Sequence, residues 1–293
     1  MSRASKFPLL SELIYFIKER WSIHVKRSAG KPPPWTKDEI LATYRFTNVM
    51  RNDDRVTKWI HGTWLLPHQE DLSTVIFAMC LARTVNLPSM LEELGYPYKW
   101  DPARFVKLME ERKAAGERSW TAAYMINAVG ATKGQSKASY VAECVLGPVW
   151  AVRRQLAGVA LASPTLRAFH ARLMQCHGFG GGFMAAQVVA DLKHIAPLNA
   201  AEDWHTFAYS GPGSRCGLNR LCGRDVKARW NEEEWHETLM ELRGLVLPKL
   251  PAELRELSAS DLQNCLCEFS KYTKVKYDGG RAKQYFVPSE EEY

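Results

Sequence analysis

Four stretches of the chain gather residue types that could do chemistry. The first is Cys176-His177-Gly178-Phe179-Gly180-Gly181-Gly182, set between two apolar-periodic segments. Gly178 and Gly180 would allow positive φ in a tight turn. Backbone N–H groups at the following helix start could then hold a DNA phosphate, with Phe179 plugging the gap between the helices. A plain flexible turn is the competing reading. The second stretch is Ala201-Glu202-Asp203-Trp204-His205. Asp203 stands before Trp204, where an ordinary helix N-cap is one reading.

The third stretch is Tyr44-Arg45-Phe46-Thr47-Asn48-Val49-Met50-Arg51-Asn52-Asp53-Asp54-Arg55. Read as a helix, it puts Tyr44, Asn48, Arg51 and Arg55 on one stripe. Arg51 and Arg55 would suit an anionic substrate and Asn48 a base edge, unless the stripe is a solvated face of Asp–Arg pairs. The fourth stretch is Tyr209-Ser210-Gly211-Pro212-Gly213-Ser214-Arg215. Turn chemistry accounts for Gly-Pro-Gly but not for Ser214 and Arg215, so a rigid phosphate-gripping loop is expected here.

Helices must position these groups, because apolar periodicity is almost entirely helical. From Leu9 to Val25 apolar residues recur at Leu9, Leu10, Leu13, Ile14, Ile17 and Trp21. After Lys31-Pro32-Pro33-Pro34, Thr36 and Glu39 suggest a capping box for a helix running to about Ile60. Further helices are expected over 71–85, 102–115, 119–128, 136–146, 164–175, 183–192, 233–243 and 260–272. Strand signals are confined to 274–277 and 284–287, flanking Asp278-Gly279-Gly280, a possible hairpin. The expected fold is all-α, in two closely packed helical lobes with at most a small C-terminal hairpin. Its parts are a basic amphipathic helix and Pro-rich connector (1–35), a helical domain (36–288) holding a helix-hairpin-helix at 165–192, and an acidic tail (289–293).

Composition narrows the function. The 293 residues are 46% hydrophobic and 11% aromatic, which excludes a disordered chain. The longest apolar runs, 74–81 and 141–152, are too short or too interrupted to span a bilayer, and the N-terminus lacks a secretory cleavage pattern. A cytoplasmic protein with no membrane partner is expected. The seven cysteines form no CxxC pair and the eight histidines do not group with them, so neither metal nor cofactor is expected. Net charge is +7, with the excess concentrated in residues 1–60, 204–230 and 271–283, which suggests a polyanion as partner. No GxxxxGK[ST] occurs, so the chain does not read as a P-loop kinase.

Two resemblances follow from these residues. A glycine hairpin between helices with Asp203 downstream is similar in order to the helix-hairpin-helix DNA glycosylases, whose catalytic aspartate follows the hairpin. The hairpin has no lysine and the chain no four-cysteine iron–sulfur loop, which argues against a Schiff base or a cluster. More specifically, residues 44–57, Gly211-Pro-Gly-Ser-Arg-Cys-Gly-Leu-Asn and Cys267-Glu-Phe-Ser-Lys-Tyr resemble a phage family first described as alpha-glutamyl/putrescinyl thymine pyrophosphorylases. That family includes the amino acid:DNA transferases of thymidine hypermodification, and a related helical domain occurs in 5-hydroxymethyluracil DNA kinases. The resemblance covers roughly residues 36–288. It departs at Asn52, where an acid is expected, and at Cys216, where a base is expected.

The resemblance implies that the partner is double-stranded DNA carrying phosphorylated 5-hydroxymethyluracil, in a host cell's cytoplasm. The phosphate would be replaced by the amine of a free amino acid such as glycine. Arg51, Arg55 and Arg215 would stabilise the leaving phosphate, Asp203 or Asp54 would deprotonate the amine, and Lys271 would hold the amino acid's carboxylate. The base would be flipped into a pocket against Trp204 or Tyr44. Catalysis would thus rest on Asp203, Asp54, Asn48, Arg51 and Arg55. Substrate would be bound by Tyr44, Trp204, Ser214, Arg215 and Lys271, and DNA by Gly178, Gly180, Gly182 and Gly213. A glycosylase excising a modified pyrimidine and a non-catalytic DNA-binding domain are the alternatives.

Overall fold

The computed structural model describes residues 6–121, 131–282 and 284–286. Among these residues there is no strand, and the fold is all-helical. In chain order the helices are α1 (Leu10–Ser28), α2 (Glu39–Thr43), α3 (Arg55–Ile60), α4 (Leu72–Val85), α5 (Pro88–Leu94), α6 (Pro102–Ala114) and α7 (Lys137–Tyr140). They continue as α8 (Gly147–Ala162), α9 (Leu166–Leu173), α10 (Phe183–Leu192), α11 (Pro212–Leu221), α12 (Glu232–Val246) and α13 (Ala259–Asp278). Most of the helix expected over 119–128 and the whole 289–293 tail lie outside the described residues.

Contacts divide the chain into two units. The first comprises 1–55 and 205–293, and the second is the contiguous 56–204. The division does not fall at the Pro-rich connector. In the first unit α1 supplies Leu13 and Ile17 to the same buried core as Leu218 of α11, Leu239 of α12 and Leu266 and Phe269 of α13. The apolar stripe of α1, polar on its other face, can be buried only against such partners. Helix α11 packs closely on α13. A Cβ at Gly213 would lie 2.2 Å from Cys267 Sγ, and one at Gly217 only 2.1 Å from the Leu266 carbonyl oxygen. Two glycines one turn apart thus remove the side chains that would hold the helices apart.

In the second unit α4 is buried along nearly its whole length and packs on α8 and α10, with Ile76, Val149, Phe169 and Val188 fully buried. Helix α9, a turn containing Gly178 (φ +86°) and Gly182 (φ +75°), and α10 follow one another. Phe179 within that turn is fully buried. Gly178 is needed twice over, because a Cβ there would also meet Val145 Cγ1 at 2.7 Å.

Four expectations are corrected. The helix expected from Thr36 to Ile60 is only α2 and α3, and α2 is capped by Asp38, which accepts from the N–H groups of Ile40 and Leu41, rather than by a Thr36–Glu39 box. Residues 44–50 run extended or irregular, because tertiary partners claim their backbone groups. The hairpin does not form. Residues 274–277 belong to α13, which ends at Gly279 (φ +61°), and Tyr285 instead makes an isolated antiparallel bridge with Tyr44. Arg45 N–H donates to the Gln284 carbonyl and Phe286 N–H to that of Thr43. Gly211–Arg215 is a helix start, not a loop, with Gly211 as N-cap and Pro212 in the first turn, where a missing N–H costs nothing. Finally α8 begins at Gly147-Pro148, beyond the 136–146 helix and where no helix is expected. A π-helical turn at Val141–Leu146 carries α7 into it, and Pro148 again falls in the first turn.

Candidate functional site

Irregular backbone inside a protein must find partners for each N–H and C=O. Residues 46–51 find them among side chains of α1 and α13. Arg20, buried on α1, donates to the carbonyl oxygens of Phe46 and Thr47, both at 3.1 Å. Glu268, buried on α13, accepts from Thr47 N–H at 3.1 Å. Asp261 accepts from Arg51 N–H at 3.0 Å, and its other oxygen takes the hydroxyl of Ser258, the cap of α13. Asn264 donates to Thr47 Oγ1 at 3.1 Å. These contacts stand about one helical turn apart along α13, so one helix face scaffolds the whole segment.

Asp54 closes this segment on itself. Its Oδ1 accepts from Asn48 N–H at 3.0 Å, and the Asn48 side-chain amide donates to the Asp53 carbonyl at 3.0 Å. No described residue donates to Asp54 Oδ2. Burial pushes the Asp54 carboxyl up to about 6; the Asn48 N–H and the charges of Arg51 and Arg20 pull it back, while Glu268 adds to the rise. Burial likewise lowers the Arg20 guanidinium to about 10, leaving it cationic at neutral pH. His24 on α1 stands 3.3 Å from Asp53 Oδ2. The result is a rigid turn presenting a proton acceptor beside Arg51. Nothing at the sequence level singled out Arg20, Asp261 or Asn264, and Glu268 stood in the Cys267–Tyr272 motif without a role; each acts across more than twenty positions of chain.

The other expected residues fall as follows. Asn48 and Arg51 are part-buried in the turn, and Arg55 is exposed at the start of α3. Tyr44 stacks on Tyr285, with ring centroids 5.3 Å apart. Lys271 pairs with Glu268. Ser214 is fully buried, where its hydroxyl accepts from Gly211 N–H at 2.9 Å and reaches the Gly211 carbonyl at 3.0 Å. Gly213 lies against Cys267. Arg215 donates to Ser210 Oγ at 2.6 Å and to Glu232 Oε2 at 3.2 Å. The geometry therefore gives Ser214 a job in capping α11 and Gly213 one in the close approach of α11 to α13, and it neutralises Arg215 with a carboxylate.

Asp203, Trp204, Gly178, Gly180 and Gly182 belong to the second unit. Asp203 uses both carboxylate oxygens at the start of α9, accepting from Leu166 N–H at 2.8 Å and Arg167 N–H at 2.9 Å. Such capping satisfies orphan donors at a helix N-terminus. Trp204 Nε1 donates to the Lys193 carbonyl at 2.8 Å. Gly182 caps α10, and its carbonyl lies 2.8 Å from His170 Nε2. A Cβ on Gly180 would stand 3.4 Å from the Met174 carbonyl.

A family model described as the helical domain of 5-hmdU DNA kinase matches residues 8–281. The chain belongs to this family. Its match covers both units, including the Asn48–Asp54 turn, α13 and the α9–α10 glycine turn. Among curated proteins it is similar to a 5-hmdU DNA kinase of Bacillus phage SP10, 26% identical over 303 residues, which cover 92% of this chain and 47% of the relative. The chain therefore spans about half the length of that kinase. No solved structure matches it. Among the described residues no helix is long and apolar enough to cross a membrane, and no group of three or more His, Cys, Asp or Glu could hold a metal ion.

Proposed function

We propose that this chain modifies phage DNA at bases derived from 5-hydroxymethyluracil, and that it replaces the phosphate of 5-phosphomethyl-deoxyuridine with the amine of an amino acid, glycine in the first instance. The observation that carries this reading is Asp54: a carboxyl raised to about 6, with Oδ2 open, beside a cation. An amine nucleophile must lose a proton, and a base with a value near neutrality does this best. The C–O bond at the 5-methylene breaks, a C–N bond forms there, inorganic phosphate leaves, and the amine proton passes to Asp54. Arg51, with the exposed Arg55, bears on the departing phosphate. Asn48 offers its amide oxygen to the base edge, and Lys271 carries the amino acid's carboxylate once released from Glu268. The glycine turn between α9 and α10 takes a DNA backbone phosphate. Membership of the kinase helical-domain family supports the substrate class, since the SP10 relative is named for 5-hmdU in DNA.

A second reading is a DNA-binding module without chemistry of its own. It is favoured by the coverage, because the match takes in only 47% of a kinase. One experiment separates them. DNA containing 5-phosphomethyluracil is incubated with the protein and glycine, then digested to nucleosides for mass analysis. A glycine adduct is expected. Unchanged nucleoside with retained DNA binding would favour the module, and abasic sites would mean base excision.

A further inference from the structure

The densest set of buried charges in the second unit surrounds Asp191, which none of the chemistry above uses. Asp191 on α10 is fully buried and receives Arg83 of α4 in two-pronged fashion, Nε at 2.6 Å on Oδ2 and the terminal nitrogen on Oδ1. The guanidinium is completed by Thr57 Oγ1 at 3.1 Å and Asn86 Oδ1 at 3.2 Å. Asp191 is thus compensated without further help. Yet His61 adds a third contact, Nε2 at 3.0 Å from Asp191 Oδ1.

That contact sets the imidazole's tautomer. A carboxylate only accepts, so Nε2 carries a proton, and in the neutral ring the lone pair is then on Nδ1. Nδ1 has no hydrogen-bond partner among the described residues, and the His61 side chain is 13% exposed, so its open edge reaches solvent. His61 also begins a π-helical turn, His61–Leu65, whose wider winding departs from the α3 repeat at this residue. Beside it stand His194, ring centroids 5.2 Å apart, and next Trp204, 5.7 Å from His194. Lys193 Nζ lies 4.1 Å from the centre of the Trp204 ring. A histidine held by a buried carboxylate with one nitrogen open, beside a second imidazole, is suited to an oxyanion that can share a proton.

We infer that the second unit carries a phosphate-oxygen site at the Nδ1 edge of His61, with Asp191 as the positioning residue. His61 takes up a proton as the anion arrives and donates it in a hydrogen bond to the phosphate oxygen. No bond other than that hydrogen bond is made. The phosphate belongs either to a phosphomonoester or to a nucleic-acid backbone, and the test distinguishes them.

The experiment is long-range ¹H–¹⁵N NMR of the histidine side chains in the full chain, with His61 assigned from His61→Gln. The pH titration is run alone, with inorganic phosphate, and with an unmodified DNA duplex. Groups around His61 that the titration must account for are Asp191, the Arg83 that shares its Oδ1, and His194. Without ligand His61 is expected as the Nε2–H tautomer. With a bound phosphate its midpoint moves up by about one unit, a tenfold difference in affinity between protonation states. Glutamine at 61 can still donate to Asp191, so the variant keeps its melting temperature while the phosphate affinity drops about tenfold. A shift with inorganic phosphate alone assigns a monoester, and a shift with DNA alone assigns the backbone. Identical His61 titrations in all three conditions, or a bare Nε2, would overturn the proposal.

Discussion

Asp54 and Asn48 are joined by a 3.0 Å hydrogen bond from the Asn48 backbone N–H, and this bond closes residues 48–54 into a loop with one carboxylate oxygen left over. The exposed ends of the loop carry Asn52 and Arg55, while its base is clamped by Arg20, Asp261 and Glu268. A catalytic acid–base group needs this kind of rigid support.

The raised Asp54 carboxyl sets a pH dependence. If Asp54 is the base, kcat/KM for amine transfer rises through a midpoint of about 6 and then levels, since the ionised form acts. Asp54→Asn should lose the rising limb along with at least a hundredfold of activity, roughly the contribution of one general base. Stability has the opposite sign. The folded state holds the Asp54 proton more tightly than the unfolded chain, so stability present below the ordinary carboxylate range is lost as pH rises through about 6. Urea unfolding across pH 4 to 7 should show this loss, of the order of 2 kcal/mol, in the wild type and not in Asp54→Asn.

Gly217→Ala tests the α11–α13 contact. The new methyl would sit 2.1 Å from a backbone carbonyl, which cannot swing aside as a side chain can. A loss of about 2 kcal/mol or more, read by chemical denaturation, is expected despite the better helix propensity of alanine. A neutral or stabilised variant would mean the helices are farther apart.

Asp203→Ala should behave as the loss of a helix cap. It strips two acceptors from the start of α9 and should cost about 1 to 2 kcal/mol, with glycine transfer per folded molecule nearly unchanged. A normal melting curve combined with abolished turnover would instead return Asp203 to the chemistry.

Arg215 is expected to be nearly silent in DNA binding. Its charge is met by Glu232, so Arg215→Ala should leave the slope of log affinity against log salt unchanged, where loss of a phosphate contact would reduce it by about one. Fluorescence anisotropy with a labelled duplex across a salt series measures this directly. The pair itself is part-exposed and should contribute less than about 1 kcal/mol to stability.

Much of the helical framework was legible because burial of an amphipathic face leaves a period in the sequence. Helices α1, α4, α6, α10 and α12 follow that signal within a few residues. It misled where partners came from afar. Tyr44, Asn48, Arg51 and Arg55 fit a helical stripe, yet the Thr47–Val49 backbone is bonded by Glu268, Asp54, Arg20 and Cys265 instead. Pro212 fits a loop reading as well as a helix start, and Pro148 likewise stands in the first turn of α8, where the preceding turn supplies the entry.

The sequence by itself determined the all-α class, the glycine turn between α9 and α10, and the presence of carboxylates and guanidinium groups around residue 50, because composition and local periodicity are properties of neighbours along the chain. Only the tertiary structure decided what those groups do. Asp54 became a part-buried acceptor, Asp203 a helix cap, Arg215 half of an ion pair and Asp191 the anchor of His61, since desolvation and hydrogen-bond partners are supplied by segments distant in sequence.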